Sequence, residues 1–339
     1  MTPIIAMDVG SGFTKYLRVP ESGATEAMQK GIVSFKTAVG PARDIAIQPG
    51  HKPLIVEFGD HRFFVGQTAE IALNPSECSN TLSPTWAYDD GHKALIYYVI
   101  ARVLDEGKIN ADTTDPVHLR LVTGLPQAYY DTGAQKVIDM LRGAQRFVFK
   151  GKKYHIFIDS VAVVPQAMGA YYTATETFLN ENEISERIGV IDIGTFTSDF
   201  CLSEDIQYKA WESGGADVGV SQLVAYLGKL LETKQGTTYS EASIRRALQS
   251  KTVLSSSERI NISDTVDEAI NYIGSQLIKA LPATWDLDAM HLIIAGGGAE
   301  SYIFGDWFRE RYGHARQLPF PSNSIVLGYG IYAASLYIE

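Results

Sequence analysis

Asp8, Gly10 and Ser11 stand in "MDVGSGFTK", directly after the apolar run "PIIA". Asp192, Gly194 and Thr195 stand in "IDIGTFTSD", 184 residues further on. The order D-x-G-[ST] thus occurs twice, each time where a strand-like run stops. One such tetrad carries little information, but two, each opening a half-chain, imply two related domains whose turns point toward a shared cleft. Glycine in a tight turn admits positive φ and lets backbone N–H groups approach a ligand with no Cβ in the way. Successive N–H groups of this kind form an anion-binding concavity, to which the Ser11 and Thr195 hydroxyls add donors. A carboxylate at the entry of the turn cannot bind phosphate. It can hold Mg²⁺, which takes one or two carboxylates together with phosphate oxygens and water. The paired turns therefore predict a clamp for the polyphosphate–Mg²⁺ of a nucleotide, with Asp8 and Asp192 on the metal. Two ordinary β-turns preceded by aspartates would present the same residues.

The elements around these turns alternate between strand and helix. "PIIAMDV" and "GFTKYLRV" predict two strands about the first turn, and "PLIVEFG" with "HRFFVGQ" a second hairpin. "GHKALIYYVIARVLDEG" has apolar residues at helical spacing and a glycine stop. "VHLRLVTGLP" is a strand, "DTGAQKVIDMLRG" a helix, and "RFVFKGKKYHIFIDSVAVVP" a pair of strands. Pro165 is expected to open the helix "PQAMGAYYTAT", where its missing N–H costs nothing. "ETFLNENEISER" (176–187) is expected to be a solvated connection near a domain boundary. The pattern then restarts with the strands "IGVIDIG" and "SDFCLSE", the helix "GVSQLVAYLGKLLETK" and two further helices. The strand "HLIIAGGG" and a terminal helix, "GYGIYAASLYI", close the chain. Alternation of this kind predicts an α/β fold.

Composition narrows the function. A chain of 339 residues has room for two domains of ordinary size. Its formal charge of -10 argues against direct nucleic-acid binding, which draws its affinity from lysine and arginine on phosphates. Two cysteines in unrelated contexts exclude a disulfide framework and fit a reduced, cytoplasmic setting. The N-terminus has no basic stretch ahead of an apolar core, and "ALIYYVIA" is far short of the roughly 20 residues of a membrane span. The seven histidines form no metal-ligand spacing.

Together the motifs resemble the actin, Hsp70 and sugar-kinase superfamily. Within it the chain is similar to actin-like ATPases of the ParM/StbA plasmid-segregation type and to archaeal actin-like ATPases. "DVGSGFTK" and "DIGTFTSD" resemble the two phosphate loops, and "VVPQAMGAYY" (163–172) the first connecting segment. "LIIAGGGAES" (292–301) resembles the adenosine motif, and "SNSIVLGYGIYAAS" (322–335) the second connecting segment. "LVTGLPQAYY" (121–130) is typical of the ParM-like branch.

The resemblance implies two RNase H-like, actin-fold domains flanking a nucleotide cleft. Domain I comprises residues 1–163 with 322–339, and domain II residues 164–321. ATP or ADP would bind with Mg²⁺ on Asp8 and Asp192. Gly10, Ser11, Gly12, Phe13 and Lys15 would serve the first phosphate loop, with Lys15 reaching the β-phosphate; a solvated strand-end lysine is the other reading. Gly194, Thr195 and Thr197 would serve the second loop. Phe196 replaces a glycine of actin and is not carried over. Gly296, Gly297 and Gly298 would let the backbone approach the adenosine and α-phosphate, although a tight strand-to-helix turn would use the same residues. Gln166, with Asp8 and Asp192, would be catalytic. ParM has a glutamate and actin a glutamine at the position of Gln166.

The nature of Gln166 separates two functions. Transfer of a phosphoryl group to a substrate hydroxyl usually needs a carboxylate base, whereas an amide can orient a water for in-line attack. The expectation is slow ATP hydrolysis coupled to filament formation by self-association, with plasmid DNA gripped through a DNA-binding adaptor. The alternative is a non-polymerising small-molecule kinase or regulatory ATPase. A helix-start residue on the surface would leave Gln166 without either role.

Overall fold

The computed structural model describes residues 2–44, 52–255 and 258–338. It divides into two compact units, one holding residues up to 172 together with those from 326 onward, the other Thr173–Ile325.

The first unit is built on a nine-stranded sheet. Its strands are β1 (Ile4–Val9), β2 (Phe13–Arg18), β3 (Val33–Lys36), β4 (Val39–Pro41), β5 (Ile55–Phe58), β6 (His61–Val65), β7 (Val117–Leu125), β8 (Gly143–Phe149) and β9 (Lys152–Pro165). They lie in the order β3-β2-β1-β7-β9-β8-β5-β6-β4. At its centre β1, β7 and β9 run parallel, so their C-terminal ends share one edge of the unit. Ligands of open α/β sheets bind at such an edge. Of the helices α1 (Thr25–Lys30), α2 (Gln67–Ala72), α3 (Asp90–Glu106) and α4 (Gln127–Leu141), α3 dominates the core. Twelve of its residues are buried, from Gly91 to Leu104. A helix apolar on every side must be covered on every side. Asp89 caps it, accepting from the His92 amide at 2.8 Å.

Helix α5 (Gln166–Thr177) leads from the first unit into the second. Pro165 does not open it. The proline is the last residue of β9, opposite Leu125, a strand end where a missing N–H breaks no interior ladder. Residues 176–187 are more ordered than expected and lie wholly in the second unit. There α5 runs on to Thr177, and Asn180 caps α6 (Glu181–Ile184) in a reciprocal box with Glu183.

The second unit repeats the central arrangement of the first. Strands β10 (Ile188–Ile193), β11 (Ser198–Glu204), β12 (Gln207–Tyr208), β13 (Gly214–Ala216), β16 (His291–Ala295) and β17 (Arg316–Gln317) form its main sheet, and β14 (Thr252–Ser255) with β15 (Glu258–Asn261) a separate hairpin. β10 pairs antiparallel with β11 and parallel with β16, as β1 does with β2 and β7. Helices α7 (Val220–Gln235), α8 (Glu241–Ser250), α9 (Ser263–Ala280) and α10 (Asp306–Arg311) enclose a second core around Leu223, Leu227, Val266 and Phe308. Finally α11 (Ser324–Tyr337) carries the chain back to the first unit. Both units are α/β, the class expected from the alternation of strands and helices. Among the described residues no helix is long and apolar enough to cross a membrane.

Candidate nucleotide site

In the first unit β1 delivers Asp8 to the start of the turn. The carboxylate is almost fully buried and stands directly across the β1–β2 ladder from Lys15, whose Nζ lies 3.4 Å from Oδ2. Burial holds the Asp8 carboxyl above its usual range, and the Lys15 ammonium opposes that shift in part. Gln166, the first residue of α5, donates from Nε2 to Asp8 Oδ1 at 3.3 Å. Asp8, Lys15 and Gln166 are therefore neighbours in space, although 158 residues separate Asp8 from Gln166.

The turn itself is fixed through its carbonyls. Gly10 O accepts from Thr37 Oγ1 at 2.6 Å, Ser11 O from Thr81 Oγ1 at 3.2 Å, and Gly12 O from the Thr37 amide at 3.1 Å. In a planar trans peptide the N–H points opposite to the C=O. Binding the carbonyls of residues 10, 11 and 12 on one side therefore aims the amides of Ser11, Gly12 and Phe13 to the other. A Cβ on Gly10 would lie 2.9 Å from Phe13 O, so the turn excludes larger residues there. The Phe13 side chain is itself exposed.

The second unit solves the same problem with different donors. Gly194 O accepts from the Val220 amide at 3.1 Å, Thr195 O from the Ser221 amide at 2.8 Å, and Phe196 O from Gln222 Nε2 at 3.2 Å. These three carbonyls are the counterparts of those at 10, 11 and 12, and all are held by the first turn of α7. The amides of Thr195, Phe196 and Thr197 are aimed away from α7 by the same peptide geometry. A Cβ on Gly194 would lie 2.7 Å from Thr197 O.

Asp192 occupies the position of Asp8, but its cross-strand partner is Asp199, where the first unit has Lys15. Both aspartates are buried. Burial first, then the charges of these two carboxylates, push the Cys201 thiol far above its usual range. β16 runs alongside β10 with Ala295 opposite Asp192, which brings the Gly296–Gly298 turn against the aspartate. Gly296 has φ of 83°, and a Cβ there would collide with Asp192 Oδ1. A Cβ on Gly298 would collide with the Ile193 side chain, whereas one on Gly297 would meet nothing within 4 Å. Two of the three glycines are thus demanded by packing on β10, and the middle one lies open. A groove of about 740 Å³ borders the loop that follows β17, lined by Phe178, Glu300, Arg309, Arg316 and Phe320 among others.

Each unit therefore gathers its own share of the expected residues. Asp8, Gly10, Ser11, Gly12, Phe13, Lys15 and Gln166 lie at the C-terminal edge of β1 and β9 in the first. Asp192, Gly194, Thr195, Thr197 and Gly296–Gly298 lie at that of β10 and β16 in the second. Asp199, Thr37 and Thr81 were not anticipated. Asp199 could have been found by extending the 184-residue offset to Lys15; the threonines carry no local signal, lying 27 and 70 residues from the carbonyls they hold.

Comparison with known proteins agrees with this architecture. The family model described as actin-like proteins, N-terminal domain, matches residues 6–169, and that of the archaeal actin homologue MreB-like, C-terminal, matches residues 190–307. No curated protein matches the chain by sequence. Among solved structures, the archaeal actin homologue Ta0583 aligns with a TM-score of 0.78 at 19% identity, over 99% of this chain and 100% of that one. A ParM with AMPPNP from Bacillus thuringiensis aligns at 0.70 and 16% identity, over 99% of each chain. A 15-stranded ParM filament from Clostridium botulinum aligns at 0.69 and 18% identity, over 98% of this chain and 99% of that one.

Proposed function

The chain belongs to the actin-like proteins, joining an actin-like N-terminal domain to an archaeal MreB-like C-terminal one, and on that footing we propose that it binds and slowly hydrolyses Mg²⁺–ATP and forms nucleotide-dependent filaments. The observation that carries this reading is the matched pair of turns. In each, three successive carbonyls are held by the protein, which presents the next three amides as anion donors at the C-terminal edge of parallel strands. Filament formation rests on similarity to proteins such as the Clostridium botulinum ParM filament. Segregation of plasmid DNA through a separate DNA-binding adaptor extends the same reading and fits a chain of formal charge -10.

The residues fit Mg²⁺ as carboxylate donors. Among the described residues no group of three or more metal-ligating side chains exists, so the protein would supply only one or two carboxylates, as Mg²⁺ commonly accepts. Asp8 in the first unit and Asp192 in the second would be those carboxylates, acting directly or through water, and the ion would neutralise charge on the phosphates. Lys15 adds a fixed positive charge beside Asp8. Gln166 has no basic group to take a proton from a hydroxyl. Its amide, anchored on Asp8, orients a water, which favours hydrolysis over transfer to a small-molecule acceptor. Sedimentation in Mg²⁺–ATP, in ADP and in EDTA tests the proposal: polymer should pellet only in the first. A chain that binds ATP, stays in the supernatant throughout and consumes ATP faster with a hydroxyl substrate is a kinase instead.

A further inference from the structure

The glycine turn after β16 is held by a short strap, residues 318–324. The Leu318 amide extends the β16–β17 pairing by donating to Ile294 O at 3.1 Å. Between Pro319 and Pro321 the chain then turns at Phe320, with φ 54° and ψ 57°. That conformation is strained twice over, because Phe320 carries a Cβ into the left-handed region and precedes a proline. Burial does not offset the strain, for 62% of Phe320 is exposed. Strain held in place by its surroundings points to a function. Here it aims the next carbonyl. Pro321 O accepts from the Gly296 amide at 3.0 Å, and Ser322 Oγ donates to Glu300 Oε1 at 2.8 Å, so the strap grips both ends of the Gly296–Glu300 turn.

Two buried hydroxyls fix the strap in turn. Ser324, the first residue of α11, donates to the same Pro321 O at 2.8 Å. Its own carbonyl accepts from Thr173 Oγ1, on α5, at 2.7 Å. Both residues are 1% exposed. Burying a hydroxyl costs free energy that its hydrogen bond must offset, and alanine is the better helix former at either place. The bonds run in one line within the second unit, from Thr173 to Ser324, from Ser324 to Pro321 and from Pro321 to Gly296. Gly296 ends the line against Asp192, whose Oδ1 a Cβ there would strike.

We propose that Ser324 and Thr173 are positioning residues for the nucleotide, an inference that rests on the nucleotide-binding reading above. Through Pro321 their hydroxyls set the Gly296–Gly298 turn where its backbone meets the adenosine, and neither touches the ligand. Removing the Ser324 hydroxyl takes away one of the two donors that hold Pro321 O against the strain at Phe320, and the turn withdraws from the ligand. ATP and ADP lose affinity alike, because the adenosine is common to both. The chemical step, assigned to Gln166, keeps its rate once the nucleotide is bound.

The test uses Ser324→Ala, Thr173→Ala and Thr173→Ser, with calorimetry of ADP and AMPPNP, steady-state ATP turnover and hydrogen–deuterium exchange. Ser324→Ala should weaken both nucleotides about five- to tenfold, the scale of one hydrogen bond. It should raise KM for ATP with kcat unchanged, and speed exchange in residues 292–299 while β11 exchanges as in the parent. Thr173→Ala should shift affinity the same way, and Thr173→Ser, which keeps the hydroxyl, should bind like the parent. Parental affinity in Ser324→Ala, or faster exchange throughout the second unit, would reduce the hydroxyls to packing and overturn the inference, while nucleotide binding by the parent stands. Should Ser324→Ala fail to fold, the Thr173 pair decides, and equal affinities for its two variants overturn the inference. A parent that binds no nucleotide would sink both readings.

Discussion

Asp199 stands directly across the β10–β11 ladder from Asp192, at the position where the first unit sets Lys15 across from Asp8. Two turns of one architecture thus carry opposite electrostatics. The first pairs its aspartate with a cation, and the second doubles it. Asp192→Ala and Asp199→Asn should therefore each lower Mg²⁺-dependent ATP affinity by about tenfold or more, roughly 1.4 kcal/mol. Lys15→Ala should weaken ATP in the presence and absence of Mg²⁺ alike, because it removes charge from the phosphates and not from the metal. Calorimetry with and without EDTA distinguishes the two patterns, and equal losses for all three variants under both conditions would refute the division of labour.

Gln166→Ala should slow hydrolysis by about 10- to 100-fold while leaving ATP affinity nearly unchanged, the usual scale for losing one positioned group. Gln166→Glu sets a second carboxylate 3.3 Å from Asp8 and should weaken Mg²⁺–ATP binding as pH falls and protons compete with the metal. Single-turnover measurements separate binding from chemistry here; parental hydrolysis in Gln166→Ala would move the water-orienting role elsewhere.

The three glycines after β16 should behave differently from one another. Gly298→Ala drives a methyl into the Ile193 side chain and should cost about 1–3 kcal/mol of stability. Gly297→Ala meets nothing and should melt like the parent, yet lose nucleotide affinity if that open backbone lies against the ligand. Urea unfolding and ATP titration of the pair decide it. Matching melting temperatures would contradict the packing account.

His92 sets an acid limb on stability. Its ring is buried and stacked on the Trp86 indole, centroids 5.2 Å apart, and burial lowers its pKa from 6.5 to about 4. The folded state keeps the ring neutral. As pH falls below 6.5 the unfolded chain takes up the proton first, so stability is present above 6.5 and is lost down to about 4. Between pH 7 and 5 this group should cost about 2 kcal/mol. His92→Phe, which keeps the stack, should remove that much of the slope in urea unfolding at the two pH values; an unchanged slope would assign the acid limb to other groups.

What was legible in the sequence follows from what local chemistry demands. The paired D-x-G turns could be read because each needs a glycine where a Cβ would strike a backbone oxygen. The long helix α3 and the strands β7, β10 and β16 announced themselves through apolar pattern. Pro165 misled because a proline after an apolar run serves equally as a strand end or a helix start. Thr37, Thr81 and the first turn of α7 stayed hidden, since holding a carbonyl far along the chain leaves no spacing to read. Asp199 was visible in the motif but acquires meaning only through the cross-strand register.

Coupling of nucleotide state to assembly is the centre of the account. ATP and filament contacts reinforce one another if both favour the same conformation, and hydrolysis then releases the subunits. Light scattering after a limited pulse of ATP measures this directly. The parent signal should rise and decay as ATP is spent, and that of Gln166→Ala should rise and persist. A flat trace for both proteins over a wide concentration range, with ATP binding intact, would contradict it.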